Sequence, residues 1–196
     1  MRRFARVAAV ATLGLGLATG ATAAWIPAKA ALAQVLLEDA WRRAQAGESQ
    51  PTPWPWADAW PVARLAAPEH GKRLVVLSDA SGRALAFGPG QLSGTSAPGH
   101  PGVTVVAGHR DTHFEFLRDL QPGDRLELED REGVRHGYRA VSTAIVRADQ
   151  AGFVERAGPD RLALVTCWPF DAVRPGGPLR YVVMAERDAP VLLAQP

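Results

Sequence analysis

The apolar positions divide the chain into three parts. Val7 to Ile26 is twenty residues without a charge. From Pro27 to Ala46 the spacing becomes helical: Leu37, Ala40, Trp41 and Ala44 fall at i, i+3, i+4 and i+7, and Glu38–Arg42 and Asp39–Arg43 are i,i+4 pairs. From about Val62 the pattern changes to short β-like runs between Gly/Pro turns. The runs are 73–78, 84–87, 103–107, 125–129, 138–147, 162–166 and 180–185, punctuated by Ser81-Gly82, Pro89-Gly90 and Pro122-Gly123. Arg125 to Glu129 alternates polar and apolar, as a half-buried strand does. Such runs over about 125 residues, with almost no helix, predict an all-β small barrel or sandwich large enough to fold alone.

One helix is expected within the β run. Thr112-His113-Phe114-Glu115 has the form of a capping box, and Phe114, Leu117 and Leu120 form an apolar stripe before Pro122-Gly123. His109 therefore falls on the loop between a strand and a helix start, where a rigid scaffold can present a reactive side chain.

Composition adds bounds. The chain has 196 residues, 47% apolar and 21% charged, with a net charge of +2. That suits one ordinary domain with an extra segment. The clearest basic cluster is Arg2, Arg3 and Arg6 at the N-terminus, and no basic run with interleaved aromatics suggests nucleic acid. Arginines ahead of an uncharged stretch predict a signal anchor over residues 1–26, with the rest of the chain on the extracytoplasmic side of the cytoplasmic membrane. A cleaved signal peptide, ending near Ala21-Thr22-Ala23, is the alternative. The helix after it reads either as a stalk at the membrane surface or as a helix packed on the domain. Residues 49–56 form a Pro-rich extended segment, and Trp54, Trp56 and Trp60 suggest that this region lies against the domain.

The single cysteine organises the candidate chemistry. Cys167 has no internal partner, so it is a free thiol. It ends the apolar run Arg161-Leu-Ala-Leu-Val-Thr-Cys167, and a turn-forming loop follows it. Arg180 opens the next strand; if the two strands pair, a guanidinium stands beside the thiol and favours the thiolate. Of the five histidines, His70 and His100 lie in Gly/Pro-rich loops and His136 in an expected hairpin turn, so all three read as exposed. His113 falls in the capped turn and reads as structural. No His/Cys/Asp set has metal-ligand spacing, and nothing calls for a cofactor. Papain-like enzymes place the Cys before the His, and L,D-transpeptidases need a Ser-His-Gly-Cys string; neither pattern is present.

Val-Ala-Gly-His109-Arg, Leu-Val-Thr-Cys167 and Arg180 on the last hydrophobic strand together resemble the sortases, membrane-anchored cysteine transpeptidases. The longer string from Gly108 to Asp124 resembles their class D-related branch of Gram-negative bacteria, class GN. Leu164 stands where many members have Thr. The resemblance implies a sortase-type eight-stranded β-barrel over 62–188, after the anchor (1–26) and a helical stalk with Pro/Trp-rich linker (27–61), and before a tail (189–196). It implies Cys167 as nucleophile, His109 as proton shuttle, Arg180 as oxyanion donor or holder of the substrate backbone, and Thr166 as a substrate-binding residue. It also implies, as partners, an exported protein with a Leu-Pro-x-Thr-like sorting signal and an amine acceptor. A membrane-tethered β-barrel that binds without catalysis, its cysteine merely buried, is the contrasting expectation.

Overall fold

The structure, a computed structural model, describes residues 31–149, 158–173 and 176–188. The expected anchor at 1–26 and the tail from 189 lie outside them. Among the described residues no helix is long and apolar enough to cross a membrane.

Eight strands close into a barrel: β1 (Pro61–Ala67), β2 (Lys72–Leu77), β3 (Gly90–Gln91), β4 (Val103–Ala107), β5 (Arg125–Glu129), β6 (Arg135–Arg147), β7 (Arg161–Trp168) and β8 (Leu179–Arg187). Their order around the barrel is β1-β2-β3-β4-β7-β8-β6-β5, with β1 pairing antiparallel to both β2 and β5 to close it. The pairing that matters most for function is β4 with β7, which is parallel, from Val103↔Arg161 to Ala107↔Val165. Parallel strands end at the same pole, so the loop after β4 and the end of β7 meet there. Since β8 runs antiparallel to β7, its first residues return to that pole.

Alternation sorts the two faces of β7. Leu162 and Leu164 point inward and join Leu65, Leu126, Leu128, Tyr138 and Val183 in the main core. Each fully buried leucine contributes about 1.5–3 kcal/mol of transfer free energy. Ala163 and Val165 point outward, into a second apolar cluster with Val103, Val105 and Val182. Cys167 shares the parity of that outward set.

A helix, α1, covers residues 31–45. From Leu37 the chain forms one compact unit. Within it Leu37 packs with Ala59, Leu77 and Ala84, and Trp41 and Ala44 pack on Val75. This part of the helix is therefore docked on the barrel. Asp39 pairs with Arg43 at 3.1 Å as expected, but Glu38 turns from Arg42 to Arg64 on β1. Trp54 stacks edge-on against Phe87 at 4.7 Å, whereas Trp56 is 79% exposed.

Three local expectations fail, and β1 is not among the expected runs. Residues 84–87 are not a strand: Gly82–Leu85 is a single helical turn, α2, started by Ser81, whose Oγ accepts from the Ala84 N–H. β1 carries little apolar signal because two of its inward residues are Ala63 and Ala67. His136 lies in β6 and not in the hairpin turn. It is buried, with Nε2 2.7 Å from Asp130 Oδ2. His70 is half-buried, bound to Asp124 at 2.8 Å; that carboxylate also accepts from the Gln121 N–H, and the two contacts hold its pKa below the ordinary carboxylate value.

Candidate active site

β4 and β7 carry the first two candidate residues to one pole. The Gly108 N–H bonds to the Val165 carbonyl at 3.0 Å, extending the ladder one step beyond β4. Thr166 Oγ1 donates back to the Gly108 carbonyl at 2.7 Å. This reciprocal pair places His109 one residue past Gly108 and Cys167 one residue past Thr166. Gly108 has a steric reason as well: a Cβ there would lie 2.7 Å from the Phe114 ring, which is fully buried. His109 is exposed and Cys167 half-buried. Among the described residues no side-chain hydrogen bond joins the two.

Thr166 thereby loses the substrate-binding role expected of it. It is 2% exposed and its hydroxyl is committed to Gly108, so it has no donor to offer a peptide. Its work is to hold the two strand ends together.

Arg180 is the register partner of Cys167 across the antiparallel β7–β8 ladder. Directly opposed residues project from the same face, so the guanidinium and the thiol share the outer side of the sheet. Arg180 Nη1 donates to the Gly177 and Leu179 carbonyls at 2.7 and 2.9 Å. Its Nε and Nη2 make no hydrogen bond within the described chain, leaving one edge of the fork for another acceptor.

The turn after His109 differs from expectation. No capping box forms. A one-turn 3-10 helix, Glu115–Arg118, starts at Phe114 without a side-chain cap, and Thr112 Oγ1 lies 3.3 Å from His113 Nδ1. The backbone instead folds over His109, whose carbonyl accepts from the Thr112 and Phe114 N–H groups at 3.4 and 3.0 Å. Phe114, Phe116, Leu117 and Leu120 are all buried. His113 is half-buried, and burial followed by the nearby His109 depresses its pKa below the usual histidine value. The neutral imidazole is the form that this site favours at His113.

Two features carried no signal of their own in the sequence. Arg110 is 4% exposed, and its guanidinium donates to the carbonyls of Pro169 and Ala172, both at 2.6 Å, and to Asp111 Oδ1 at 3.1 Å. Trp168, Phe170 and Tyr181 form a mutual aromatic stack with centroids 5.2–5.6 Å apart, and the Arg118 guanidinium lies 5.4 Å from the Phe170 centroid. An Arg beside a His usually reads as a solvated pair. Here the segment after Cys167 supplies carbonyl partners to a buried one.

Comparison with known proteins bears on the family and the fold. Residues 65–188 match the model of the Sortase domain. A curated relative, Sortase D of Bacillus subtilis (strain 168), is 31% identical over 124 residues, 63% of this chain; the matched region spans 62% of the relative's own length. Among solved structures, the Sortase D5 transpeptidase of Clostridium perfringens superposes with a TM-score of 0.60 at 18% identity, over 78% of this chain and 89% of its own. Sortase A from Corynebacterium diphtheriae gives 0.61 at 21%, over 81% and 85%. At those identities the structures speak for the fold, and the family match speaks for the lineage: the chain belongs to the sortase family.

Proposed function

We propose that this protein is a cysteine transpeptidase that cleaves a Leu-Pro-x-Thr-like sorting signal of an exported protein and transfers it to an amine. The observation that carries the reading is the register Cys167↔Arg180, with His109 brought beside it by the Gly108–Thr166 exchange. Cys167 Sγ, as thiolate, attacks the carbonyl carbon that follows the signal's threonine side chain. Arg180 donates to the oxygen as it takes negative charge, using Nε and Nη2, which make no hydrogen bond among the described residues. The C–N bond breaks, His109 gives its proton to the departing amine, and a thioester remains on Cys167. An incoming amine then attacks the thioester, His109 removes its proton, and the C–S bond breaks to return the thiolate.

The class D-related assignment is part of the proposal, supported by the 31% identity to a Sortase D. So is the location: Arg2, Arg3 and Arg6 stay in the cytoplasm, residues 7–26 anchor the chain, and the barrel acts on the outer side of the membrane.

The test is mass spectrometry of the protein mixed with a Leu-Pro-x-Thr-type peptide and no amine acceptor. The expected product is an acyl adduct on Cys167 that disappears when a primary amine is added. Cys167→Ala should form none. A peptide processed equally by the alanine variant, or an unmodified wild-type thiol with every such peptide, removes the transpeptidase reading and leaves a binding barrel.

A further inference from the structure

The residue after the histidine is built into the site more firmly than the histidine itself. Arg110 is 4% exposed, and the carbonyls it bridges, Pro169 and Ala172, lie two and five positions after the nucleophile. A buried guanidinium that lost those partners would face the full desolvation cost of its unpaired donors, so its geometry is strongly specified. The neighbouring hydrogen bonds give this a meaning. Gly108 and Thr166, the residues before His109 and Cys167, are bound to each other. Arg110, the residue after His109, is bound to the segment after Cys167. The reactive pair thus sits between two cross-links, one on each side, and only the Gly108–Thr166 link lies within the strand ladder. The second link spans two loops that nothing in β-pairing would hold together.

We propose that Arg110 is a positioning residue of the site, fixing the His109 loop against the Pro169–Ala172 segment so that the imidazole meets the thiol and the scissile bond in register. The proposal rests on the transpeptidase reading for its effect on catalysis, but the clamp itself does not. Lysine cannot replace the residue fully, since an ammonium lacks the planar fork that reaches two carbonyls at once. Asp111, 66% exposed at its side chain, orients Nε from outside and should matter less.

The experiment has two arms. The first is amide hydrogen exchange of the wild type, Arg110→Gln, Arg110→Lys and Asp111→Ala. Exchange across 107–112 and 166–173 should rise at least tenfold together in Arg110→Gln, less in Arg110→Lys, while β1, β2 and β5 keep wild-type protection. Unchanged exchange in both segments, or loosening of the whole barrel in equal measure, overturns the clamp whether or not a substrate is found. The second arm is steady-state kinetics on a processed sorting peptide, well below each variant's melting temperature and normalised to titratable Cys167 thiol. A fall of ten- to a hundredfold in kcat, with KM within about threefold, is the loss expected when a reacting group is displaced by about 1 Å. Partial recovery in Arg110→Lys should accompany it. Equal kcat in all variants, or an effect on KM alone, removes the catalytic part. An inactive wild type would instead refute the transpeptidase reading and leave the exchange result standing. If Arg110→Gln fails to fold, Arg110→Lys and Asp111→Ala carry both arms.

Discussion

Replacing Thr166 with valine isolates one atom of the site. Valine matches threonine in volume, so no cavity opens and neither the core leucines nor Tyr181 has reason to move. What disappears is the donor 2.7 Å from the Gly108 carbonyl, at a position 2% exposed. The net bond is worth about 1 kcal/mol, and a carbonyl left buried without a donor adds its desolvation, giving about 1–3 kcal/mol in all. For a domain of this size each kcal/mol lowers Tm by roughly 2–4 °C. The kinetic effect should exceed what stability explains, because the same bond sets the spacing of His109 and Cys167. A displacement of about 1 Å between reacting groups can cost on the order of 10²-fold. Thr166→Ser is the matched control, since it keeps the hydroxyl and gives up only a methyl. Denaturant unfolding with kcat and KM on one sorting peptide provides the readout. Valine should lose kcat by at least tenfold while serine stays within about threefold of wild type. A valine variant with wild-type turnover, or a serine variant equally impaired, would refute the positioning role and return Thr166 to the list of groups that touch substrate.

Three further outcomes follow from the same geometry. Arg180→Lys should lose about 10²–10³ in kcat, nearly as much as Arg180→Ala, because the ammonium keeps charge but not the fork; steady-state rates on one peptide check it. Tyr138 is fully buried; burial first and then Asp160 push its hydroxyl pKa up from 10.0 to about 12. The folded state therefore favours the neutral phenol, and its contribution is complete below pH 10 and lost as pH rises through about 12. By linkage that is up to about 2–3 kcal/mol, and Tyr138→Phe should flatten denaturant stability over this window. His113, with its pKa depressed below 6.5, acts in the opposite sense: its contribution is present above 6.5 and fades as pH falls below it. His113→Gln should lose less stability on acidification than the wild type, and should keep turnover that His109→Ala abolishes.

The strands that could be read in advance are those whose side chains differ strongly between faces. Arg125–Glu129 alternates, and its expected bounds match β5 to the residue, as do those of Val103–Ala107, apolar except for Thr104. β1 could not be read because a barrel wall tolerates alanine on its inner face where an opposing chain supplies the bulk, and alanine is silent in any periodicity. Leu85 and Phe87 looked like a strand for the opposite reason: two large apolar residues two apart mimic alternation, whereas Ser81 starts a helical turn there. The thiol, the loop histidine and the strand arginine were legible because each stands at an element boundary that Gly, Pro or a change of pattern marks. The parts of Thr166 and Arg110 are not legible in the sequence because they depend on β4 and β7 being parallel. No local pattern states which strands are neighbours, and a polar side chain looks the same whether its partner is water or a carbonyl some sixty residues away.

That dependence also explains how rigidity is distributed. The groups bound most firmly are carriers and not reactants: a threonine hydroxyl, a buried guanidinium and the backbone of Gly108. Among the described residues the His109 imidazole and the Cys167 thiol make no hydrogen bond to each other, and Arg180 donates through Nη1 alone. A site that paired its reactants in the resting state would have to break that pair before the thiol could attack or the imidazole could reach a leaving amine. Holding the backbones and freeing the side chains avoids this cost, since the ordering has been met by folding and not by binding. The aromatic stack of Trp168, Phe170 and Tyr181 serves the same end. It packs the segment after Cys167 against the core, so that the carbonyls Arg110 grips are fixed on both sides. Under the transpeptidase proposal, a peptide entering on the outer face would meet a thiol on a strand held by these bonds, and its binding energy would be left to align the scissile bond.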